Sequence, residues 1–210
     1  MRVIVAIATF NNRNLDRTLD SLENQAHEIR IYNNETRDIN LTDNGKFYFL
    51  DEYKEPVYYF TCDDDLIYPP DYVHRTILAI EKYKCIVTYH GRKLRGLNRS
   101  YYRGHTALRC LDTQPQDMEL DVCGTGVTAF RTDYFNAKTL WASEDKRMSD
   151  LVFSLEAAKQ GKKIMHIGHQ AKWIRYVEQP KGTTIYELEN KNESRQIEIA
   201  NEIFEIKNKK

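Results

Sequence analysis

The chain has 210 residues, of which 41% are hydrophobic and 30% are charged. This composition supports one globular core and excludes wholesale disorder. The 31 basic residues balance the 31 acidic ones, which argues against nucleic acid as a partner. The longest apolar run, residues 3–8, is much shorter than the roughly 20 residues of a transmembrane helix. Four cysteines without a C-x-x-C pair indicate reduced thiols and a cytoplasmic location.

The beginning of the chain predicts a strand, a helix and a second strand. Residues 2–10 are apolar without alternation, which is typical of a strand buried on both faces of a parallel sheet. Leucines repeat at helical spacing over residues 15–22, and residues 28–32 form a further short strand. These elements constitute a βαβ unit, whose crossover is right-handed in nearly all proteins.

The remaining elements also alternate between strands and helices. Strands are expected at 56–62, 86–90, 120–130 and 163–167, and helices at 72–84 and 150–160. The segment 120–130 is expected to be one strand with a glycine kink, and residues 91–111 a long loop or hairpin. The pattern predicts a single α/β domain with a mostly parallel central sheet flanked by helices.

The C-terminal stretch is highly charged but has an apolar helical face, formed by Ile197, Ala200, Ile203 and Phe204. We interpret residues 1–186 as the body of the domain and 187–210 as its helical extension. Packing of this helix against the body is expected, with peripheral attachment to the inner face of the membrane as the alternative.

Three consecutive aspartates, Asp63, Asp64 and Asp65, directly follow the apolar strand 56–62. In an open α/β sheet, ligands bind beyond the carboxyl ends of the strands. Two like charges about 4 Å apart repel by roughly 4 kcal/mol at an effective dielectric of 20. A bound cation or a proton must offset this repulsion. The triplet therefore predicts a site for Mg²⁺ or Mn²⁺, and a solvated acidic turn is the alternative.

The segment CDDDLIYPPDY, residues 62–72, resembles the Asp-x-Asp motif of family 2-like, nucleotide-sugar-dependent glycosyltransferases of the GT-A fold. The resemblance covers roughly residues 3–175 and implies a single GT-A (Rossmann-like) domain. It implies that Asp63 faces the ribose and lies by the metal. It also implies that Asp65 ligates the metal that bridges the diphosphate, and that Asp64 is the variable middle residue.

Other segments resemble the family's donor site in the same order along the chain. Residues 4–12, IVAIATFNN, resemble the opening strand and the turn beside the nucleotide base. Where the family has acidic residues that bind the base, this chain has asparagine, whose amide also pairs with uracil. Lys46 resembles the loop cation near the phosphates, with a surface lysine as the alternative. The resulting donor-binding candidates are Thr9, Phe10, Asn11, Arg13, Asn33, Asn34, Lys46, Asp63 and Asp64.

Asp150 falls where the resemblance places the catalytic base. An inverting transferase needs a carboxylate that accepts the proton of the acceptor hydroxyl. A helix N-cap is the alternative role of Asp150, and Glu144 and Asp145 are the fallback carboxylates.

The segment GTGVTAF, residues 124–130, resembles the small-residue lining of the sugar and acceptor pocket. A strand bulge is the alternative. The resemblance also implies a third metal ligand after the last strand, which His169 fits better than His166, with a structural histidine as the alternative. Trp173 either stacks on a sugar or fills the core. The pocket candidates are His90, Gly124, Thr125, Gly126 and Trp173.

The segment 92–109 is strongly basic and contains no acidic residue. It is interpreted as a lid over the diphosphate, as a surface for an anionic acceptor or anionic lipid head groups, or as a solvated loop. Its cationic residues are Arg92, Lys93, Arg95, Arg99, Arg103 and Arg109.

Together, the motifs predict a metal-dependent glycosyltransferase. It would move a sugar from a nucleotide-diphosphate donor, a UDP-sugar, to a hydroxyl of an acceptor such as a cell-surface glycan or lipopolysaccharide, with inversion. A sugar nucleotidyltransferase is one alternative, but residues 9–13 lack the glycines of its phosphate loop. A non-catalytic nucleotide- or glycan-binding module is the other. The sequence leaves the sugar, the linkage and the oligomeric state open.

Overall fold

The structure, a computed structural model, describes residues 1–10, 15–97, 99–177 and 193–209. The predicted βαβ unit is present as β1 (Val3–Thr9), α1 (Leu15–Leu22) and β2 (Glu28–Asn33). A 3-10 segment, Thr42–Glu52, follows it. The next elements are β3 (Tyr58–Cys62), β4 (Leu66–Ile67), α2 (Tyr72–Tyr83), β5 (Ile86–Thr88), β6 (Gly91–Leu94) and β7 (His105–Leu108).

The second half of the chain completes the central sheet and its helical cover. Its elements are β8 (Met118–Leu120), β9 (Val122–Cys123), β10 (Val127–Arg131), a short 3-10 turn (Leu140–Ala142), α3 (Ser149–Lys159), β11 (Ile164–His166), β12 (Arg175–Tyr176) and α4 (Ser194–Asn208). Gly161 follows the C-terminal end of α3 with a left-handed backbone (φ 65°).

The central sheet has seven strands in the order β2-β1-β3-β10-β5-β11-β8. Strand β1 is parallel to β2 and β3, and β5 is parallel to β11. Strands β10 and β8 are antiparallel to their neighbours, so the other five strands run in one direction. This mixed, largely parallel sheet confirms the predicted α/β fold class. The carboxyl ends of β1, β2, β3 and β5 lie at one edge, where β10 begins.

Both faces of the sheet are buried, because successive strand residues point to opposite sides. Ile4 and Ala6 of β1 face the aromatic side chains of the 3-10 segment and of α3. Val5 and Ile7 face α1 and α2 on the other side. The apolar run of β1 is therefore explained by burial on two faces. No helix in the described ranges is long and apolar enough to cross a bilayer.

The prediction of one kinked strand over 120–130 is wrong. Gly124, Thr125 and Gly126 form a turn in which the Val127 amide donates to the Gly124 carbonyl at 3.1 Å. Strand β9 before the turn pairs with β6 in a separate three-stranded sheet, β7-β6-β9, whereas β10 after it enters the central sheet. The glycines thus move the chain from one sheet to another.

The hairpin alternative for residues 91–111 is confirmed, since β6 and β7 pair antiparallel. Helix α4 packs against α3 through Ile199, Ala200 and Ile203, which are fully buried. The predicted face was shifted, because Ile197 and Phe204 lie at its partly buried margin. The boundary between 186 and 187 lies outside the described residues.

Candidate active site

The acidic triplet lies where β3 ends, at the edge that collects the carboxyl ends of the parallel strands. Asp63 forms an ion pair with Lys46 from the 3-10 segment. The backbone at Asp63 is fixed by two hydrogen bonds, because its amide donates to the Tyr68 hydroxyl at 2.8 Å and to the Gly126 carbonyl at 3.3 Å. The carboxylate of Asp63 is therefore held in place, while its side chain stays 41% exposed.

Lys46 is a buried lysine, with only 4% of its side chain exposed. Burial alone would lower its pKa, but the carboxylates of Asp63 and Asp43 outweigh that effect and raise it. Lys46 is thus a permanent cation at the centre of the site. Its burial excludes the surface-lysine alternative. Its predicted contact with the phosphates of a donor stays a prediction.

Asp64 and Asp65 are both largely withdrawn from solvent. The Thr9 hydroxyl donates to Asp64 at 2.5 Å, and burial raises the pKa of Asp64. Burial, together with the charges of Asp63 and Asp64, raises the pKa of Asp65 to about 7. Within the described residues no cation pairs with Asp65. The triplet therefore holds more negative charge than Lys46 neutralises.

Asp150 opens helix α3 on the same edge of the sheet. One of its carboxylate oxygens accepts from the Thr125 amide at 2.7 Å and from the Thr125 hydroxyl at 2.8 Å. Its other oxygen faces Arg92 Nη1 at 3.7 Å. The fallback carboxylates are less suited, because Asp145 forms a two-pronged pair with Arg195 and Glu144 is exposed.

The turn at 124–126 joins the triplet to Asp150. A side chain at Gly126 would place its Cβ only 1.8 Å from a carboxylate oxygen of Asp63. A Cβ at Gly124 would lie 2.8 Å from the His90 ring. Glycine is therefore required at both positions by close approach, and a plain strand bulge does not account for the segment. The structure brings Asp63, His90, Gly124, Thr125 and Asp150 together.

His90 lies under this turn. Its Nδ1 accepts from the Cys110 amide at 3.4 Å. Burial and the nearby charge of Arg92 lower the pKa of His90, while the carboxylates of Asp150 and Asp63 act in the opposite direction. The lowered pKa favours a neutral His90, and its place in a sugar or acceptor pocket stays a prediction.

Two of the donor-binding predictions are corrected, because the side chains are structural. The Asn34 amide donates to the carbonyls of Thr9 and Thr42 and accepts from the amides of Leu41 and Thr42. These bonds use its full hydrogen-bonding capacity, so none is left for a base. Thr9 is buried and orients Asp64 instead of facing a ligand.

The other donor-side candidates have different outcomes. Phe10 is exposed at the end of β1. The Asn33 side chain accepts from the Glu35 amide at 3.0 Å, which forms a local turn. Asn11 and Arg13 lie outside the described residues. Their predicted contacts with a nucleotide therefore stay predictions.

His169 does not join the acidic triplet, so its prediction as a metal ligand is wrong. It is buried, its ring stacks on Tyr89 with centroids 5.7 Å apart, and it lies 5.4 Å from the ring of His166. Burial, then the nearby His166 and Arg75, lowers its pKa to about 4. Among the described residues, no three His, Cys, Asp or Glu side chains are placed to bind one metal ion.

Trp173 belongs to the core on the α2 side of the sheet. Its indole nitrogen donates to Asp71 at 3.0 Å, and its ring packs on Tyr89 at 4.8 Å and under the Arg75 guanidinium at 4.7 Å. It also borders an open groove of about 540 Å³ that contains Arg17, Asn24 and Arg175. The core alternative is therefore the correct one, and the sugar-stacking role is not supported.

Sequence reasoning missed the contacts by which three residues hold the site together. Asp43 accepts from the Ser149 amide at 3.0 Å and so links the 3-10 segment to α3. The Tyr68 hydroxyl donates to the Gly126 carbonyl at 2.6 Å. Arg92 lies beside Asp150 and over the Tyr101 ring at 4.9 Å. No local pattern marks Asp43 or Tyr68, since each acts through a partner distant in sequence.

The carboxylate oxygens of Asp63 and Asp65 are of the type that a hard divalent cation prefers, although the described residues supply no third protein ligand. Mg²⁺ commonly binds one or two carboxylates and takes its other ligands from water and substrate phosphates. Burial and the charges of Asp63 and Asp64 disfavour ionisation of Asp65, and this is the observation that favours a bound cation there. The class of protein defined here is an α/β protein with an anionic site at the carboxyl edge of its sheet.

No protein-family model matches the chain, and no curated protein matches it in sequence. Among solved structures, it is similar to A197 from STIV, with a TM-score of 0.47 and 15% identity, over 85% of this chain and 87% of that one. It is also similar to the inositol-1-phosphate CTP transferase from T. maritima, with a TM-score of 0.38 and 12% identity, over 96% and 77%. At these scores, function is inferred from the site alone.

Proposed function

We propose that the chain is a glycosyltransferase that uses a divalent cation and a UDP-sugar to glycosylate a hydroxyl of a glycan or glycolipid. The observation that carries this proposal is the contact of three distant segments at one edge. Asp63 occupies the space beside Gly126, and Asp150 binds the intervening Thr125. Sugar transfer needs this combination, because one set of carboxylates serves the diphosphate and a separate one serves the acceptor.

On the donor side, Asp63 and Asp65 would hold Mg²⁺ or Mn²⁺. When bound, such an ion offsets the negative charge that develops on the leaving diphosphate. Lys46 fixes the Asp63 carboxylate, and Thr9 fixes that of Asp64. The chain thus orients its carboxylates before the donor arrives, which lowers the cost of binding in the reactive geometry.

On the acceptor side, Asp150 would act as the base. Thr125 occupies one of its oxygens, and the other, which lies 3.7 Å from Arg92 Nη1, is the one that would receive the proton. In a single displacement, the acceptor oxygen forms a bond to the anomeric carbon and the nucleotide diphosphate leaves with the electrons of its bond. The acceptor proton passes to Asp150, and the anomeric configuration inverts. The four free, buried cysteines support a cytoplasmic location for this reaction.

The test is hydrolysis or transfer of UDP-sugars in the presence of Mn²⁺ or Mg²⁺. We expect release of UDP that stops with a chelator, and we expect Asp65→Asn to abolish cation-dependent donor binding measured by calorimetry. Asp51→Asn, an exposed aspartate outside the site, is the matched control. Unchanged donor affinity in Asp65→Asn would contradict the proposal. Pyrophosphate release from UTP and a sugar phosphate would indicate a nucleotidyltransferase instead.

The role of Asp150 is tested separately. Asp150→Asn keeps an oxygen for the Thr125 amide, so folding and donor binding should be retained. Loss of a general base lowers turnover by about 10²–10⁴-fold. We expect that loss in steady-state assays, and at most a small change for Asp145→Asn. Full activity of Asp150→Asn would exclude it as the base.

A further inference from the structure

The basic hairpin, defined as the described residues of 91–108, consists of β6, β7 and the turn between them. Arg92 and Lys93 in β6 pair with Asp150 and Asp121, but the arginines of the turn pair with no described carboxylate. Arg95, Arg99 and Arg103 in the turn are exposed, and none forms an ion pair within the described part of the chain. Between Arg95 and Arg99, Leu97 is 62% exposed. The tip of the hairpin therefore combines positive charge with an exposed apolar side chain.

Hydrogen bonds close the turn of the hairpin and attach it to the body of the domain. The Arg95 amide donates to the Gly104 carbonyl at 3.2 Å, which closes the turn. Glu193, next to α4, accepts from the amides of Tyr101 and Tyr102 at 2.7 and 3.3 Å. Tyr101 is buried against α3 and α4. These bonds attach the second half of the turn, which contains Arg103, to the body of the domain.

We propose that this tip docks the protein on a bilayer surface that contains anionic lipids. Charge complementarity carries the choice of partner, because the chain is neutral as a whole and the excess of positive charge is local. Each arginine close to an anionic leaflet strengthens binding by about fivefold. A leucine among these arginines gains nothing from a soluble anion, but it is buried when it enters the head-group region.

Docking in this way would also bring the candidate active site to the membrane. Arg92 belongs to the same hairpin and lies 3.7 Å from Asp150. The strand end of the hairpin therefore lies beside Asp150, the candidate general base, while the turn of the hairpin would contact the lipid. A lipid-linked acceptor is the kind of substrate that such an arrangement serves. Membrane binding is independent of catalysis, and it can be measured without donor or acceptor.

The experiment is co-sedimentation of the full chain with vesicles of phosphatidylcholine, with and without phosphatidylglycerol. We expect binding to the anionic vesicles only, weakened by salt. The triple variant Arg95→Glu, Arg99→Glu and Arg103→Glu should lower the partition coefficient by about a hundredfold or more. Its matched control is Lys54→Glu, Lys162→Glu and Lys172→Glu, which makes the same change of charge at exposed sites elsewhere.

A second pair of variants tests the leucine. Leu97→Gln should weaken vesicle binding by roughly tenfold, whereas Leu78→Gln should leave it unchanged, although Leu78 is 58% exposed on α2. Circular dichroism and thermal unfolding check that each variant is folded. Equal binding to neutral vesicles, equal losses in the control variants, or binding to a phosphorylated oligosaccharide without binding to vesicles would overturn the proposal. We expect the hairpin variants to retain UDP-sugar hydrolysis, so that a loss of vesicle binding tests the docking proposal without testing the proposed reaction.

Discussion

Lys46 is the residue on which the order of the acidic edge depends. Its ammonium pairs with Asp63 and is also close to Asp43 and Asp150. Replacement by methionine keeps the apolar stem but leaves these carboxylates without their cation. We expect Lys46→Met to lower the free energy of unfolding by about 1–3 kcal/mol, less than for a fully buried pair because Asp63 is half exposed to screening water.

Urea denaturation at neutral pH measures this effect. Lys54→Met is the control, because Lys54 is exposed and forms no ion pair with the described residues. A surface change of this kind should alter stability by no more than about 0.5 kcal/mol. If both variants unfold at the same urea concentration, Lys46 does not stabilise the site.

The Asp63 carboxylate fits beside residue 126 only because that residue is glycine. A Cβ at position 126 would overlap the Asp63 carboxylate, and overpacking of this kind costs about 1–3 kcal/mol. We expect Gly126→Ala to show this loss in the wild-type chain and to cost little when Asp63 is already alanine. A double-mutant cycle by thermal or urea unfolding measures the coupling. The same loss in both backgrounds would mean that the clash lies elsewhere.

The residue types at this edge could be predicted from the sequence, but their hydrogen-bond partners could not. Asp63 and Gly126 were predicted by motifs, and the structure brings them together. Asn34 and His169 have equally suitable chemistry, yet one is fully used by backbone groups and the other is buried beside Tyr89. Whether a polar side chain is free for a ligand depends on long-range packing, which a local pattern does not contain.

At the scale of elements, the periodicity of apolar residues predicted the strands and helices that are buried in the same way along their whole length. Strand β1 and helices α1 and α2 lie within two residues of the predicted bounds, because each buries one fixed set of apolar side chains. The segment 120–130 failed for a physical reason. Val122 and Val127 are both buried, but in different sheets, and apolar character does not reveal which strand is the partner.

Attachment of the basic hairpin to α4 is the element-scale feature that we expect to depend on pH. Burial would raise the pKa of Glu193, but the bonds from Ser100, Tyr102 and Tyr101 outweigh it and lower the pKa. The ionised form is thus favoured in the fold, so its contribution is present above the ordinary glutamate pKa of about 4.3. That contribution is lost as the pH falls through the lowered pKa of the folded state.

Hydrogen exchange of the Tyr101 and Tyr102 amides reports on this attachment. We expect Glu193→Gln to lower their protection factors at neutral pH, since hydrogen bonds to a charged acceptor are the stronger ones. Acidification should reduce their protection in the wild type but have little further effect in the variant. Glu205→Gln, on the exposed side of α4, is the control. Unchanged protection in Glu193→Gln would contradict the attachment.

For the molecule as a whole, the formal net charge of zero conceals a strong separation of charge. Carboxylates gather at the edge formed by β1, β3 and α3, and the basic hairpin beside it carries exposed arginines that form no ion pair with the described residues. The net charge of the chain therefore argued against a chain-wide surface that binds polyanions, but it could not locate either cluster of charge. Their proximity arises from the turn at 124–126, which joins the two sheets.

This separation determines how the donor and its cation should affect global stability. In the proposed function, the negative charge at the edge would repel a nucleotide diphosphate, and a bound divalent cation would remove that repulsion. Because such ligands bind the folded state, saturation at about 100 times the dissociation constant adds about 2.7 kcal/mol. For a chain of this size, that stabilisation corresponds to a rise of roughly 5–10 °C in melting temperature.

We therefore expect a small thermal shift with Mn²⁺ alone, a small one with UDP-sugar alone, and a large one with both. Differential scanning fluorimetry at one protein concentration measures all three, and a chelator should reverse the combined effect. Asp65→Asn should lose it, because the cation loses a ligand, whereas the triple arginine variant of the basic hairpin should keep it. A shift of equal size with and without the cation would mean that the donor binds through Lys46 and neighbouring amides alone, and that the triplet has no metal to hold.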